Sequence, residues 1–260
     1  NQCAGRATRM IYLDNAATSQ KPNSVLEVWN QYYTELNANV HRGIHTLSQL
    51  ATEEMELSRR KIQNFINAKH DFEVIFTKGT TEGINLVSYI LTQKLKKDDE
   101  IIISYLEHHS NIVPWQMLCE RTGAKLRVIP IDENGVLQLD YLDQFLSEKT
   151  KVVSVNQVSN ALGVVNPIEE IIAKTRANSD AYIVIDGAQS APHFKIDVQA
   201  LDCDFFVFSG HKMYAPMGTG ILYGKQEVLE SLPPFHGGGE MIAVCSFDKT
   251  TYAGLPFKYE

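Results

Sequence analysis

Asp204-Phe-Phe-Val-Phe-Ser-Gly-His-Lys-Met-Tyr214 is the stretch on which the reading of the fold turns. Residues 205–208 are apolar and β-prone, and they break abruptly into a polar elbow, Ser209-Gly210-His211-Lys212. A lysine just beyond a buried strand must be solvated, paired or put to chemical use. Burial lowers a lysine's pKa and frees its amine to attack a carbonyl and form a Schiff base. A strand-end lysine that snorkels to water is the other reading, and the stretch alone leaves both open.

Working outward, segments of the same kind lie at 74–76, 101–104, 126–131, 152–155, 182–185 and 220–223, which with 205–208 make seven candidate strands. Helical periodicity separates the first five, at 84–95, 112–121, 139–146 and 168–176. Two further amphipathic helices precede them. One carries Val25, Val28, Trp29, Tyr32 and Leu36 and starts near Pro22-Asn23-Ser24; the other carries Ala51, Met55, Ile62, Phe65 and Ile66. Apolar strands alternating with helices predict an α/β fold with a mainly parallel sheet buried on both faces. The span from Ser209 to Gly218 is too short for a crossover helix, so the seventh strand is expected to run antiparallel.

Such sheets carry their functional residues just past the carboxyl ends of the strands. Five polar elbows fall there: Thr77-Lys78-Gly79-Thr80-Thr81, Glu107-His108-His109, Gln157-Val-Ser-Asn160, Asp186-Gly-Ala-Gln189 and Ser209-Gly-His-Lys212. Asp186, behind an apolar strand, is either a helix cap or the partner of a protonated heterocyclic nitrogen. Thr80 and Thr81 open a helix after a glycine, which suits an anion cradle as well as ordinary capping. The spacing of a Walker loop is absent. His108 and His109 read as loop residues or, for one of them, as a flat partner for a ring. Metal binding by the pair is disfavoured, since adjacent side chains point apart and no third ligand stands at suitable spacing. An imine-forming lysine, an acid for a pyridinium, a phosphate cradle and a stacking group together specify pyridoxal 5′-phosphate.

The bulk numbers agree with a soluble globular protein of one large domain or one and a half ordinary ones. The chain has 260 residues, 44% hydrophobic and 21% charged, with a net charge of −7. That charge advertises neither nucleic acid nor anionic membrane as a partner, and the apolar runs are too short to span a bilayer. Cys3, Cys119, Cys203 and Cys245 are scattered, with no metal-ligand spacing, which fits a reduced, cytoplasmic setting. Cys119 reads as a small core hydrophobe and Cys245 as more exposed. Residues 1–9 read as an expression scar or the stub of a targeting peptide, residues 10–25 as an N-terminal segment and residues 26–260 as the cofactor-binding domain.

Several long motifs carry a family resemblance: Val40-His-Arg-Gly-Ile-His-Thr46, Lys78-Gly-Thr-Thr-Glu-Gly-Ile-Asn85, Glu107-His-His-Ser-Asn-Ile-Val-Pro-Trp115, Asp186-Gly-Ala-Gln189, Ser209-Gly-His-Lys-Met-Tyr214 and Gly237-Gly-Gly-Glu-Met-Ile242. In these the chain resembles the cysteine desulfurases of the sulfur-mobilisation type, including selenocysteine lyases, among class V aminotransferase-like enzymes of fold type I. The resemblance implies that Lys212 carries the cofactor in imine linkage, Asp186 pairs with the pyridine nitrogen, and Gln189 bonds the phenolic oxygen. It implies that His108 stacks on the ring and assists proton transfer. It gives the phosphate to Thr80, Thr81, Ser209 and His211, and the substrate carboxylate to Asn160. It further implies L-cysteine or L-selenocysteine as substrate, Lys212 as the base that takes the α-proton, an enzyme thiolate and then an acceptor protein for the sulfur, a role in iron–sulfur cluster assembly, and a homodimer with residues 41–46 near its interface.

Relatives of this kind continue far beyond the position matching Glu260. The resemblance therefore predicts that the persulfide-forming cysteine, the arginine that grips the substrate carboxylate and most of a small C-terminal domain are missing from these 260 residues. Another enzyme of the same fold, an aminotransferase or a kynureninase-like hydrolase, and a non-catalytic cofactor-binding fragment are the alternatives.

Overall fold

A computed structural model describes residues 11–260; the expectations for residues 1–9, and Cys3 with them, lie outside the described residues. Seven strands form one sheet: β1 (Val74–Thr77), β2 (Glu100–Ser104), β3 (Lys125–Ile129), β4 (Thr150–Asn156), β5 (Tyr182–Asp186), β6 (Phe205–Ser209) and β7 (Gly220–Gly224). Their order across the sheet is β1-β7-β6-β5-β4-β2-β3. Neighbours from β6 to β3 are parallel, with Val184 beside Phe205 and Asn156 beside Asp186. β7 runs antiparallel between β6 and β1, as the short connection after Ser209 requires. β1 consequently points the same way as β6, so the ends of β1, β2, β4, β5 and β6 share one rim.

Side chains alternate across the sheet with the period of two that a strand imposes. Phe205 and Val207 enter the core formed with α3 (Thr80–Ile90) and α4 (Val113–Thr122), where Ile84, Val87, Trp115 and Leu118 are buried. Phe206 and Phe208 enter the opposite core, with Ile66 of α2 (Thr46–Ile66) and Ile168, Ile171 and Ile172 of α5 (Ile168–Asn178). A sheet covered on both faces cannot shift by one residue without moving aromatics into the wrong layer, so the register that sets the rim is strongly specified.

Three features differ from the sequence expectation. β3 is an edge strand with Lys125 and Val128 exposed, not one buried on both faces, and Arg127 pairs with Glu100 at 2.6 Å. Charges on an edge guard it against pairing with another chain. It ends at Ile129 because Pro130 has no N–H for the ladder. The first amphipathic segment is an α-helix only to Gln31 and continues as a π-turn, Tyr32–Leu36. A hairpin, β8 (Ile242–Cys245) with β9 (Thr250–Tyr252), lies outside the seven expected strands. The other sheet edge is closed by side chains. The Phe76 N–H donates to Glu260 Oε1 at 2.6 Å, and the buried Arg59 of α2 grips both oxygens of Glu260 at 2.7 and 2.9 Å. Among the described residues no helix is long and apolar enough to cross a membrane.

Candidate active site

The elbow after β1 is built by glycine. Gly79 has φ +149 and ψ 177, a region that a side chain almost forbids. A Cβ on Gly220 would sit 2.3 Å from the Gly79 Cα, so the start of β7 must also be bare. Backbone thereby lies against backbone, and α3 begins directly at Thr80. Neither threonine caps that helix. The Thr80 N–H instead donates to Ser209 Oγ at 2.8 Å, and Thr80 Oγ1 lies 2.8 Å from the same oxygen. The β1 and β6 elbows are thus joined over the antiparallel β7. Gly79→Ala should loosen this cradle, costing about 1–3 kcal/mol. Calorimetry should show the lower melting temperature, and phosphate-bearing ligands should bind more weakly.

Lys212 ends the turn Gly210–Lys212 at the tip of β6 and is half-buried. Burial holds its ammonium below the ordinary lysine pKa, and the Asp186 charge pulls the other way. Asp186 is 3% exposed at the end of β5, and its Oδ1 accepts from the Ala188 N–H at 2.9 Å. Burial pushes it up to about 6, against that hydrogen bond and the charge of Lys212. A carboxyl in this state is short of a cationic partner. Gly187 beside it has no room for a side chain, since a Cβ would come within 2.1 Å of the Phe206 ring.

His108 caps the turn after β2. Its Nδ1 accepts from the Ser110 N–H at 3.1 Å, so the neutral ring carries its proton on Nε2. Burial, then the charges of Lys212 and His109, lower its pKa. Burial also lowers that of His211, followed by Lys212 and Lys21.

One cavity of about 430 Å³ is lined by all nine residues singled out in the sequence: Thr80, Thr81, His108, Asn160, Asp186, Gln189, Ser209, His211 and Lys212. Its volume falls in the range of small-molecule sites, about 300–1,000 Å³. His109 is not among its lining residues. Among the described residues no cluster has the makings of a metal site.

The sequence did not announce two further parts. Asp14, Ala16 and Ala17 line the same cavity. Gln189, expected to face a ligand oxygen, donates from Nε2 to the Ala16 carbonyl at 2.9 Å, which leaves one amide N–H and the carbonyl oxygen of its side chain for other use. The second part is Glu107, buried beneath His108. It accepts from the Asn156 N–H at 3.0 Å and from Asn111 Nδ2 at 2.6 Å, and it is bonded to Ser104 Oγ. Burial pushes its pKa up to about 8 against these three donors. Asn111 cannot turn away, because its Oδ1 holds Trp115 Nε1 at 2.8 Å and Ser154 Oγ at 2.6 Å. One carboxyl therefore ties the end of β2, the turn before α4 and the end of β4. An acid between Leu106 and His108 at a strand end was the available signal.

Residues 11–260 match the family model for aminotransferase class-V. The cysteine desulfurase of Enterobacter sp. (strain 638) is 51% identical over 253 residues, covering 96% of this chain and 62% of that protein. A probable cysteine desulfurase of Synechocystis sp. is 53% identical over 252 residues, covering 96% of this chain and 60% of that protein. Among solved structures, the cysteine desulfurase CsdA of Escherichia coli superposes with a TM-score of 0.89 at 40% identity, over 96% of this chain and 62% of that one. A C-DES variant with glycine covalently linked to its PLP cofactor has a TM-score of 0.83 at 25% identity, over 96% of this chain and 66% of that one. The chain thus spans about three fifths of the length of the curated relatives it matches.

Proposed function

We propose, since the chain belongs to the aminotransferase class-V family, that its rim holds pyridoxal 5′-phosphate and serves in removing sulfur from L-cysteine. The observation that carries this reading is that Lys212 and Asp186 line one cavity without forming an ion pair: an amine held below its ordinary pKa and a buried acid raised above its own.

The residues present fit the cofactor. Asp186 is buried, so its charge contact with a protonated ring nitrogen would be little screened by water. Thr80, Thr81 and Ser209 present hydroxyls to a phosphate, and α3 adds the N–H groups that follow Thr80, whose own N–H is held by Ser209 Oγ. His211 stands beside them on the cavity wall. Bound there, the cofactor supplies an electron sink for the charge left when an amino acid loses its α-proton.

This chain's residues do the rest. Lys212 anchors the cofactor and, once displaced by the substrate amine, takes the α-proton. His108, with its proton on Nε2, offers a donor at the cavity wall and suits proton delivery to the substrate. Asn160, on the wall of the same cavity, would take the substrate carboxylate. Sulfur must finally pass to a thiol. Cys203 is fully buried, its thiol pushed up to about 12 by burial, and among the described residues no cysteine lines this cavity. We therefore assign to residues 11–260 the binding and proton-handling half of the reaction, with the accepting thiol supplied from outside them. Homodimerisation and delivery to a sulfur-acceptor protein belong to the same proposal.

The test is exchange of the α-hydrogen of L-cysteine in deuterated water, followed by NMR on the cofactor-loaded protein. Exchange above the rate of free cofactor is expected. An exchange rate equal to that of free cofactor would overturn the reading. Product analysis with an added thiol separates alternatives: alanine and sulfide support desulfuration, whereas a keto acid would assign the chain to transamination.

A further inference from the structure

The segment just before α1 (Asn23–Gln31) crosses the rim and closes on a single backbone oxygen. The carbonyl of His211, in the peptide that leads into Lys212, lies within hydrogen-bond distance of four donors from positions about 190 residues earlier in the chain. They are the Ser19 N–H at 3.0 Å, Ser19 Oγ at 3.0 Å, Thr18 Oγ1 at 3.2 Å and Lys21 Nζ at 3.0 Å. Lys21 Nζ also donates to the Ser19 carbonyl at 2.7 Å, so one ammonium joins the segment to the rim. Ser19 is 5% exposed and reaches past Lys212 as well, since its Oγ accepts from the Tyr214 N–H at 2.7 Å. Lys212 is therefore held from both sides by one residue. The same segment takes the amide of Gln189 on the Ala16 carbonyl.

Ordinary loop anchoring needs one or two hydrogen bonds to a carbonyl with two lone pairs. Four donors on the one carbonyl whose peptide sets the direction of the Lys212 side chain go beyond that need. The ammonium adds charge-assisted strength in a partly buried place. Tyr214 has a φ of 68, a left-handed conformation rare for a large side chain, and the bond from its N–H to Ser19 holds the turn in that shape.

We propose that Lys21 and Ser19 are positioning residues for Lys212: by clamping the His211 carbonyl and the Tyr214 N–H they aim the amine at its carbonyl partner. The inference rests on the reading of Lys212 as the cofactor anchor. It makes residues 16–21 part of the reaction apparatus, not merely a lead-in to the first helix.

The test uses the whole chain with added pyridoxal 5′-phosphate. The rate of adduct formation at Lys212 is followed by borohydride trapping and peptide mass spectrometry, beside a thermal melt. Lys21→Met is expected to slow capture about 10-fold or more, because small misplacements of reacting groups have large kinetic effects. Lys21→Arg, which keeps the charge and the donors, should restore the rate to within about threefold. Ser19→Ala should slow capture too. Should Lys21→Met fail to fold, Lys21→Gln carries the same comparison. A folded Lys21→Met or Lys21→Gln protein that captures cofactor at the wild-type rate would overturn the inference, as would a slowed rate that Lys21→Arg does not restore. Failure of the wild-type chain to capture cofactor at Lys212 would instead overturn the reading of the anchor.

Discussion

Lys212→Ala will abolish covalent capture of pyridoxal 5′-phosphate and lower α-hydrogen exchange from L-cysteine by about 10²–10⁴-fold, the scale of losing a positioned general base. The reason lies in the local structure. Lys212 follows a strand whose preceding residues, Phe205 to Phe208, are locked in two cores, so its backbone cannot move to let a neighbour substitute. Its amine is held below the ordinary lysine pKa by burial, opposed by Asp186. Capture by the wild-type chain should therefore rise with pH and level off below the pH at which a free lysine would. Lys212→Arg should not rescue, because a guanidinium keeps its proton. Trapping, absorbance and NMR exchange on the same preparations check all three statements.

Asp186→Asn should separate function from stability. Asparagine keeps the oxygen that accepts from the Ala188 N–H but cannot hold a proton on a ring nitrogen by charge. Exchange from L-cysteine should fall about 10²–10³-fold, the scale of one lost electrostatic contact in a preorganised site. Stability without cofactor should move the other way. The folded-state pKa of Asp186 is raised to about 6, above the range of an unfolded aspartate. Between about pH 4 and 6 the folded chain then binds more protons than the unfolded chain, so stability falls as pH rises through that window and stays lower above it. The shift corresponds to about 3 kcal/mol. Asp186→Asn removes that term, so the cofactor-free variant should melt higher than the wild type at pH 8 and by a margin that vanishes near pH 4. Equal melting at both pH values would show that Asp186 carries no such burial penalty. A site that strains its own fold until a ligand relieves it is a recurring trade of stability for function.

The parts of this molecule that could be read in the sequence are those written locally. Strand-to-elbow transitions at 76–81, 185–189 and 208–212 signal themselves by an abrupt change from β-branched and aromatic residues to glycine and polar ones. Parallel topology then brings those elbows to one rim, and the seven residues taken from them line one cavity with His108 and Asn160. The antiparallel β7 followed from the length of a single connection. Strand order was not written locally, so β3, with a strand-like sequence, could not be told to be an edge. The segment at 14–21 escaped for another reason. Its hydroxyls and ammonium bond a backbone carbonyl about 190 positions away, so no spacing betrays it. Gln189 shows the same limit, since a side chain at the right rim spends one donor on the Ala16 carbonyl. Glu107 was quoted within its elbow but not singled out, because burial by Asn111, Asn156 and Ser104 is a tertiary fact.

The central claim is that this rim holds pyridoxal 5′-phosphate on one particular lysine. The most direct measurement is to add the cofactor to the purified chain, reduce with borohydride and map the modified peptide by mass spectrometry. The account predicts one stoichiometric adduct on Lys212, lost when Asp186 or the Thr80–Ser209 cradle is disrupted and excess cofactor is removed before reduction. An adduct spread over surface lysines, or none at Lys212, would contradict it.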